Sequence, residues 1–134
     1  MSILTQKTIS KQISIDGIGI HTGLKVNLVI LPAHPNTGIV FKRVDVKKNN
    51  IIIPTYNNVV DATLCTTISN DCGVRVSTIE HLMGAFYGLG IDNAIVEINS
   101  QEVPIKDGSA KQFVELIVQA GIQTSEVQIG RAHV

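Results

Sequence analysis

Ser77-Thr78-Ile79-Glu80-His81-Leu82-Met83-Gly84-Ala85-Phe86-Tyr87-Gly88-Leu89-Gly90 reads as one short helix around which the rest of the chain is arranged. Ser77 followed three residues later by Glu80 has the form of a capping box, so the helix is expected to start at Ser77. Ile79, Leu82, Met83 and Phe86 recur at helical spacing and form an apolar stripe. Gly88 and Gly90 supply the expected stop, because glycine tolerates the left-handed conformation that closes a helix. At about 100° per residue, His81 falls away from the stripe and Glu80 lies on the flank between. An imidazole and a carboxylate therefore stand side by side in the first turn, aimed away from this domain's own core.

Two readings of that pair stand at this point. In one, Glu80 is only the capping acid and His81 a solvated side chain. In the other, His81 binds a metal and Glu80 is the general base for the attacking water. Zinc hydrolases need a donor that is neutral near neutral pH and a nearby carboxylate, not itself a ligand, to take a proton.

Outward from this helix, the bulk properties narrow the field. The chain has 134 residues, enough for one domain with a real core. Lysine plus arginine equals aspartate plus glutamate at 11 each, and aromatics are only 4%. Neither property suits a nucleic-acid surface. No apolar run approaches the roughly 20 residues of a membrane helix, so no membrane insertion is expected. Met1 to Lys11 is polar and alternating, unlike a signal peptide, which points to a cytoplasmic protein. Cys65 and Cys72 are not spaced as Cys-x-x-Cys and are expected to be reduced. With 44% apolar residues but few aromatics, the core should be built from Ile, Val and Leu.

Upstream of the helix the chain reads as strands. Thr8 to Ile15 alternates and is expected to be one strand; Asp16 to Gly23 is a glycine-rich turn. His21 in that turn is either a ligand-binding residue or a loop histidine without a role. Leu24 to Leu31 alternates cleanly, Pro32 to Gly38 is a turn that includes His34, and Ile39 to Arg43 is expected to return as the second half of a hairpin. Ile51 to Ile53 is a short run ended by Pro54, which belongs at a sheet edge. Tyr56 to Ala62 is ambiguous. Thr63 to Ile68 and Val74 to Val76 are expected strands leading into the helix.

Downstream, Ile91 to Ile98 is another strand, with Asp92 either a turn residue or a side chain reaching the site. Glu102 to Ser109 is a loop. Ser109 with Gln112 forms a second capping box, Phe113, Leu116, Ile117 and Ala120 form a buried stripe, and Gly121 stops the second helix. The fold class expected is α+β: a mostly antiparallel or mixed sheet with two helices packed on one face. The domain is expected to span residues 1–126, followed by a tail over 127–134. Ile129 to Val134 continues no pattern and reads as translated sequencing adapter, so His133 is excluded from metal arguments.

Five segments carry a family resemblance in their order along the chain: Gly17 to Gly23, Asn36 to Arg43, Ser77 to Leu82, Gly88 to Asn93 and Val103 to Ala110. Together they resemble the N-terminal half of the UDP-3-O-acyl-N-acetylglucosamine deacetylases, zinc enzymes of lipid A synthesis. The resemblance implies the first of two similar domains, with the active site in the cleft between them. It implies that His81 is a zinc ligand and Glu80 the general base for hydrolysis of the substrate's acetamide. Leu64, Cys65 and Thr66 match a segment near the site, and His21 matches a histidine near the cleft. The family's other two zinc ligands, a His and an Asp, lie in the second domain, which has no counterpart in this chain and would be its natural packing partner. The polypeptide alone is therefore expected to be inactive, and an apolar patch is expected where that partner packs. A stand-alone, non-catalytic binding module of similar fold is the alternative.

Overall fold

A computed structural model describes residues 4–105 and 110–127. Ten strands and two helices follow one another: β1 (Leu4–Ile9), β2 (Ile13–Ile18), β3 (Lys25–Pro32), β4 (Ile39–Arg43), β5 (Ile51–Ile52), β6 (Val59–Asp61), β7 (Thr67–Ser69), β8 (Arg75–Ser77), α1 (Glu80–Leu89), β9 (Ala94–Ile98), α2 (Lys111–Ala120) and β10 (Ile122–Val127). The α+β class is as expected from the sequence. The strands form a five-stranded sheet in the order β2-β3-β9-β4-β5, a three-stranded sheet β6-β7-β8, and the pair β1-β10.

Period-two alternation gives the five-stranded sheet one greasy face. Ile13 and Ile15 of β2, Val26, Leu28 and Ile30 of β3, and Ala94, Val96 and Ile98 of β9 are all buried. Leu82, Ala85 and Phe86 of α1 and Phe113 and Ile117 of α2 join the same cluster. Aliphatic residues dominate this core, as the composition predicts, and all three phenylalanines, Phe41, Phe86 and Phe113, are buried with them.

Four expectations about the strands are corrected. The run from Thr8 to Ile15 is broken between β1 and β2: Ser10 N–H donates to Gly121 O (2.8 Å), so the first part leaves for β10. β2 continues to Ile18, within the stretch expected to be a turn. β3 and β4 do not form a hairpin, because β9 lies between them, antiparallel to β3 and parallel to β4. Pairing with β9 places Val96 between buried neighbours on both sides, and the long turn at 33–38 lets β4 stand one strand away. Thr63 to Thr66 is not a strand, and β7 starts only at Thr67.

β10 had no counterpart in the sequence reading. It pairs with β1 from Leu4↔Val127 to Ile9↔Ile122. Asp92 serves this junction: its Oδ2 accepts from Lys7 N–H (2.8 Å), and its own N–H donates to Lys7 O (2.8 Å). Among the described residues no buried side-chain polar atom lacks a partner. No helix among them is long and apolar enough to cross a membrane. Ser109 and the 129–134 tail lie outside the described residues; α2 begins after Ala110 without a side-chain cap.

Candidate active site

The start of α1 is built differently from a capping box. Ser77 stays in β8, pairing with Thr67, and its hydroxyl donates to Gln101 O (3.1 Å). Ser77 N–H donates to Gln101 O (2.8 Å), and Ser77 O accepts from Val103 N–H (3.1 Å). With its backbone and hydroxyl spent on the 101–103 segment, Ser77 cannot cap. The chain turns at Thr78, whose φ of 61° lies in the left-handed region, and Ile79 precedes the helix without a side-chain cap. Glu80 is thus the first helical residue rather than the third. Gly88 lies within α1, and Gly90 alone closes it, with φ 71° and its N–H on Phe86 O and Tyr87 O.

Glu80 reaches sideways instead of back. Its Oε1 accepts the Thr66 N–H at 3.0 Å, while Thr66 O accepts from Ile79 N–H at 3.3 Å. The 64–66 segment is therefore clipped to the head of α1. The helix N-terminus favours a carboxylate there, since unpaired N–H groups and aligned peptide dipoles make that end positive. His81 is half-buried, and its ring has no hydrogen-bond partner among the described residues. Leu64 projects outward, 83% exposed; Cys65 is half-buried and Cys72 exposed, and neither is in a disulfide.

His21 sits in the loop that joins β2 to β3. Gly19 and Gly23 close that loop through Gly19 N–H to Leu24 O (3.0 Å) and Gly23 N–H to Gly19 O (2.9 Å). The residue that sequence reasoning missed lies beneath it. Glu102 is fully buried, yet its carboxylate accepts from His21 N–H (3.1 Å to each oxygen), Thr22 N–H (2.9 Å), the Thr78 hydroxyl (2.9 Å) and His21 Nδ1 (2.7 Å). Burial pushes this carboxyl up, but the hydrogen bonds from Thr22, His21 and Thr78 outweigh it and hold it below the ordinary glutamate value. The signal was present: Glu102 is a lone acid before Val103-Pro104-Ile105, and an acid in an apolar run has to be partnered if it is buried.

Glu102 thus links the His21 loop to Thr78, two residues before Glu80. The structure brings Thr66, Glu80 and His81 together at one helix start and fastens His21 to the same junction. It does not bring His34 there: that residue lines a surface cleft with Lys7, Thr8, Pro35 and Asn93. Among the described residues no three His, Cys, Asp or Glu side chains gather in a group able to hold a metal. Ile18, Ile20 and Leu24, around the His21 loop, are 54%, 64% and 54% exposed.

Fold and site together define an α+β domain that presents an imidazole and an oriented carboxylate at the mouth of one helix. The chain belongs to the UDP-3-O-acyl N-acetylglycosamine deacetylase (LpxC) family, whose model matches residues 6–134. It is 49% identical over 121 residues to the UDP-3-O-acyl-N-acetylglucosamine deacetylase of Shewanella frigidimarina, covering 90% of this chain and 40% of that protein. Proteins of the same name from Haemophilus influenzae and Vibrio cholerae are 46% and 48% identical over 121 and 122 residues. The chain spans about 40% of the length of these curated relatives.

Proposed function

We propose that this chain supplies the general base and one metal ligand of a cytoplasmic amidase. That amidase removes the acetyl group from UDP-3-O-acyl-N-acetylglucosamine, the step that commits the sugar to lipid A. The observation that carries the reading is the Thr66 N–H to Glu80 bond at 3.0 Å, which holds a carboxylate beside an imidazole that has no partner among the described residues. A histidine that ligates zinc needs a ring nitrogen without another partner, and His81, whose ring has no hydrogen-bond partner among the described residues, fits that requirement as one donor. Catalytic zinc usually has three protein ligands, so the remaining donors are assigned to the part of the relatives that this chain does not match. Zinc, when bound, polarises the amide carbonyl and lowers the pKa of water.

Glu80 takes the proton of the attacking water as its oxygen bonds to the acetyl carbon. The tetrahedral oxyanion collapses with cleavage of the C–N bond, the nitrogen gains a proton, and acetate and the free amine leave. Glu80 carries one hydrogen bond from Thr66, which fixes its direction and leaves its other oxygen to receive the proton. Leu64, Cys65 and Thr66 line the approach, and His21 contacts substrate. The exposed Ile18, Ile20 and Leu24 belong to the face that packs on the second domain.

The test joins this chain to the unmatched remainder of the Shewanella frigidimarina relative and follows acetate release with added zinc. Turnover by the joined protein, none by the chain alone, and losses of about 10²-fold or more for Glu80→Gln are expected. Full activity of Glu80→Gln or His81→Ala overturns the assignment. A joined protein that folds but shows no turnover leaves the chain as a binding module.

A further inference from the structure

Glu102 is the most heavily hydrogen-bonded side chain described, and the proposed chemistry does not use it. Four groups from two separate segments converge on a carboxylate with no solvent exposure. An ionised group buried without cause is costly, so its partners show what the fold keeps it for. Two of its contacts shape the loop, the His21 and Thr22 N–H groups, and a third, the Thr78 hydroxyl, joins it to the turn before α1. The fourth, His21 Nδ1 at 2.7 Å, serves a ring that is itself 47% exposed. A carboxylate accepts only, so Nδ1 carries a proton; in the neutral ring Nε2 is then bare, on the side of the ring away from the carboxylate. Gly19 is required for this arrangement: a Cβ there would collide with the Glu102 carboxylate and the Thr22 hydroxyl.

We infer that Glu102 is a positioning residue: it locks His21 in the Nδ1–H tautomer, presents Nε2 as the working atom, and fixes that ring relative to the Thr78 turn that launches Glu80 and His81. The inference rests on the substrate-contacting role proposed for His21. Glu102 itself touches no reacting atom. Its Oε2 receives both the His21 ring and the Thr78 hydroxyl, so one oxygen sets the relation between loop and helix. Carboxylates orient metal-ligating histidines in the same way, and losing one there typically costs about 10- to 100-fold in affinity or activity, the scale expected here.

The test reads the tautomer directly. In the chain labelled with ¹⁵N-histidine, at about pH 8, above the usual imidazole range, long-range ¹H–¹⁵N correlation should show His21 protonated at Nδ1 and bare at Nε2. Exposed His34, whose ring has no partner among the described residues, is the internal control. Glu102→Gln should return His21 to the Nε2–H form that free imidazole favours. A wild-type His21 in the Nε2–H form, or averaged as His34 is, overturns the inference without any variant having to fold. In the joined enzyme, Glu102→Gln and His21→Ala should each lower kcat/KM about 10- to 100-fold, and the double variant should be no worse than the weaker single variant. Losses that multiply would mean that Glu102 acts only on the fold, and would overturn it. The spectrum needs no turnover: an inactive enzyme leaves a correct tautomer standing, and an active enzyme with the wrong tautomer overturns this inference alone.

Discussion

Glu80 and Glu102 are both glutamates near the head of α1, and their surroundings give them opposite work. Glu80 is half-buried and holds one N–H; Glu102 is fully buried and holds four groups. The first has one oxygen without a hydrogen-bond partner among the described residues, as the proposed general base requires, whereas the second has its acceptor capacity consumed. Glu102 therefore makes a prediction about stability with pH. Its pKa in the folded chain is lowered, so ionisation favours folding. That contribution is present above the ordinary glutamate range and is lost as pH falls through the lowered folded value, beginning below about pH 5. Urea unfolding from about pH 6 down to pH 3 should show this loss, and Glu102→Gln should flatten that part of the profile. At Gly19 the prediction is steric. Gly19→Ala drives a methyl into the Glu102 carboxylate and should destabilise by about 1–3 kcal/mol in the same assay, as overpacking does.

At the scale of elements, α1 depends on how its ends are made. The C-terminal end is set by Gly90 at φ 71°, a conformation that costs an L-residue about 1–2 kcal/mol. Gly90→Ala should lower the unfolding free energy by about that amount, while Gly88→Ala, inside the helix with open space around it, should raise it by up to about 1 kcal/mol. The N-terminal end is set by tertiary contacts. Ser77→Ala removes a hydroxyl bonded to Gln101 O, so its effect should appear as loosening of the β8 junction and not as loss of a helix cap. Amide exchange at Glu102 and Val103, compared with that at the first turn of α1, separates the two.

In the molecule as a whole, β9 is the central strand. It pairs with β3 on one side and β4 on the other, and its Ala94, Val96 and Ile98 are buried under both helices' cluster. Its amides should exchange slowest, near the global unfolding rate, whereas β6, exposed along its length, should exchange early. A pattern in which β3 and β4 protect each other directly would contradict the strand order. Between the sheets, Arg43 of β4 donates through Nη1 to Arg75 O of β8 (2.7 Å) while paired with Asp45, so the three-stranded sheet that launches α1 is tied to the five-stranded one.

What local periodicity encodes could be read from the residues alone. The apolar stripes of both helices, the alternation of β3 and β9, the glycine stops at Gly90 and Gly121, and the adjacency of Glu80 and His81 were all legible. Each depends on residues within a turn or a strand of one another. What depends on partners far along the chain came from long-range folding. It placed β9 between β3 and β4, paired β1 with β10, and kept Ser77 in a strand. It turned Glu80 to Thr66 and gathered the His21 loop and Thr78 on Glu102. A serine three residues before a glutamate satisfies a capping pattern wherever it occurs. Whether it caps is settled by which backbone groups elsewhere compete for the same hydroxyl and carboxylate, and those groups come into reach only when the sheet has formed.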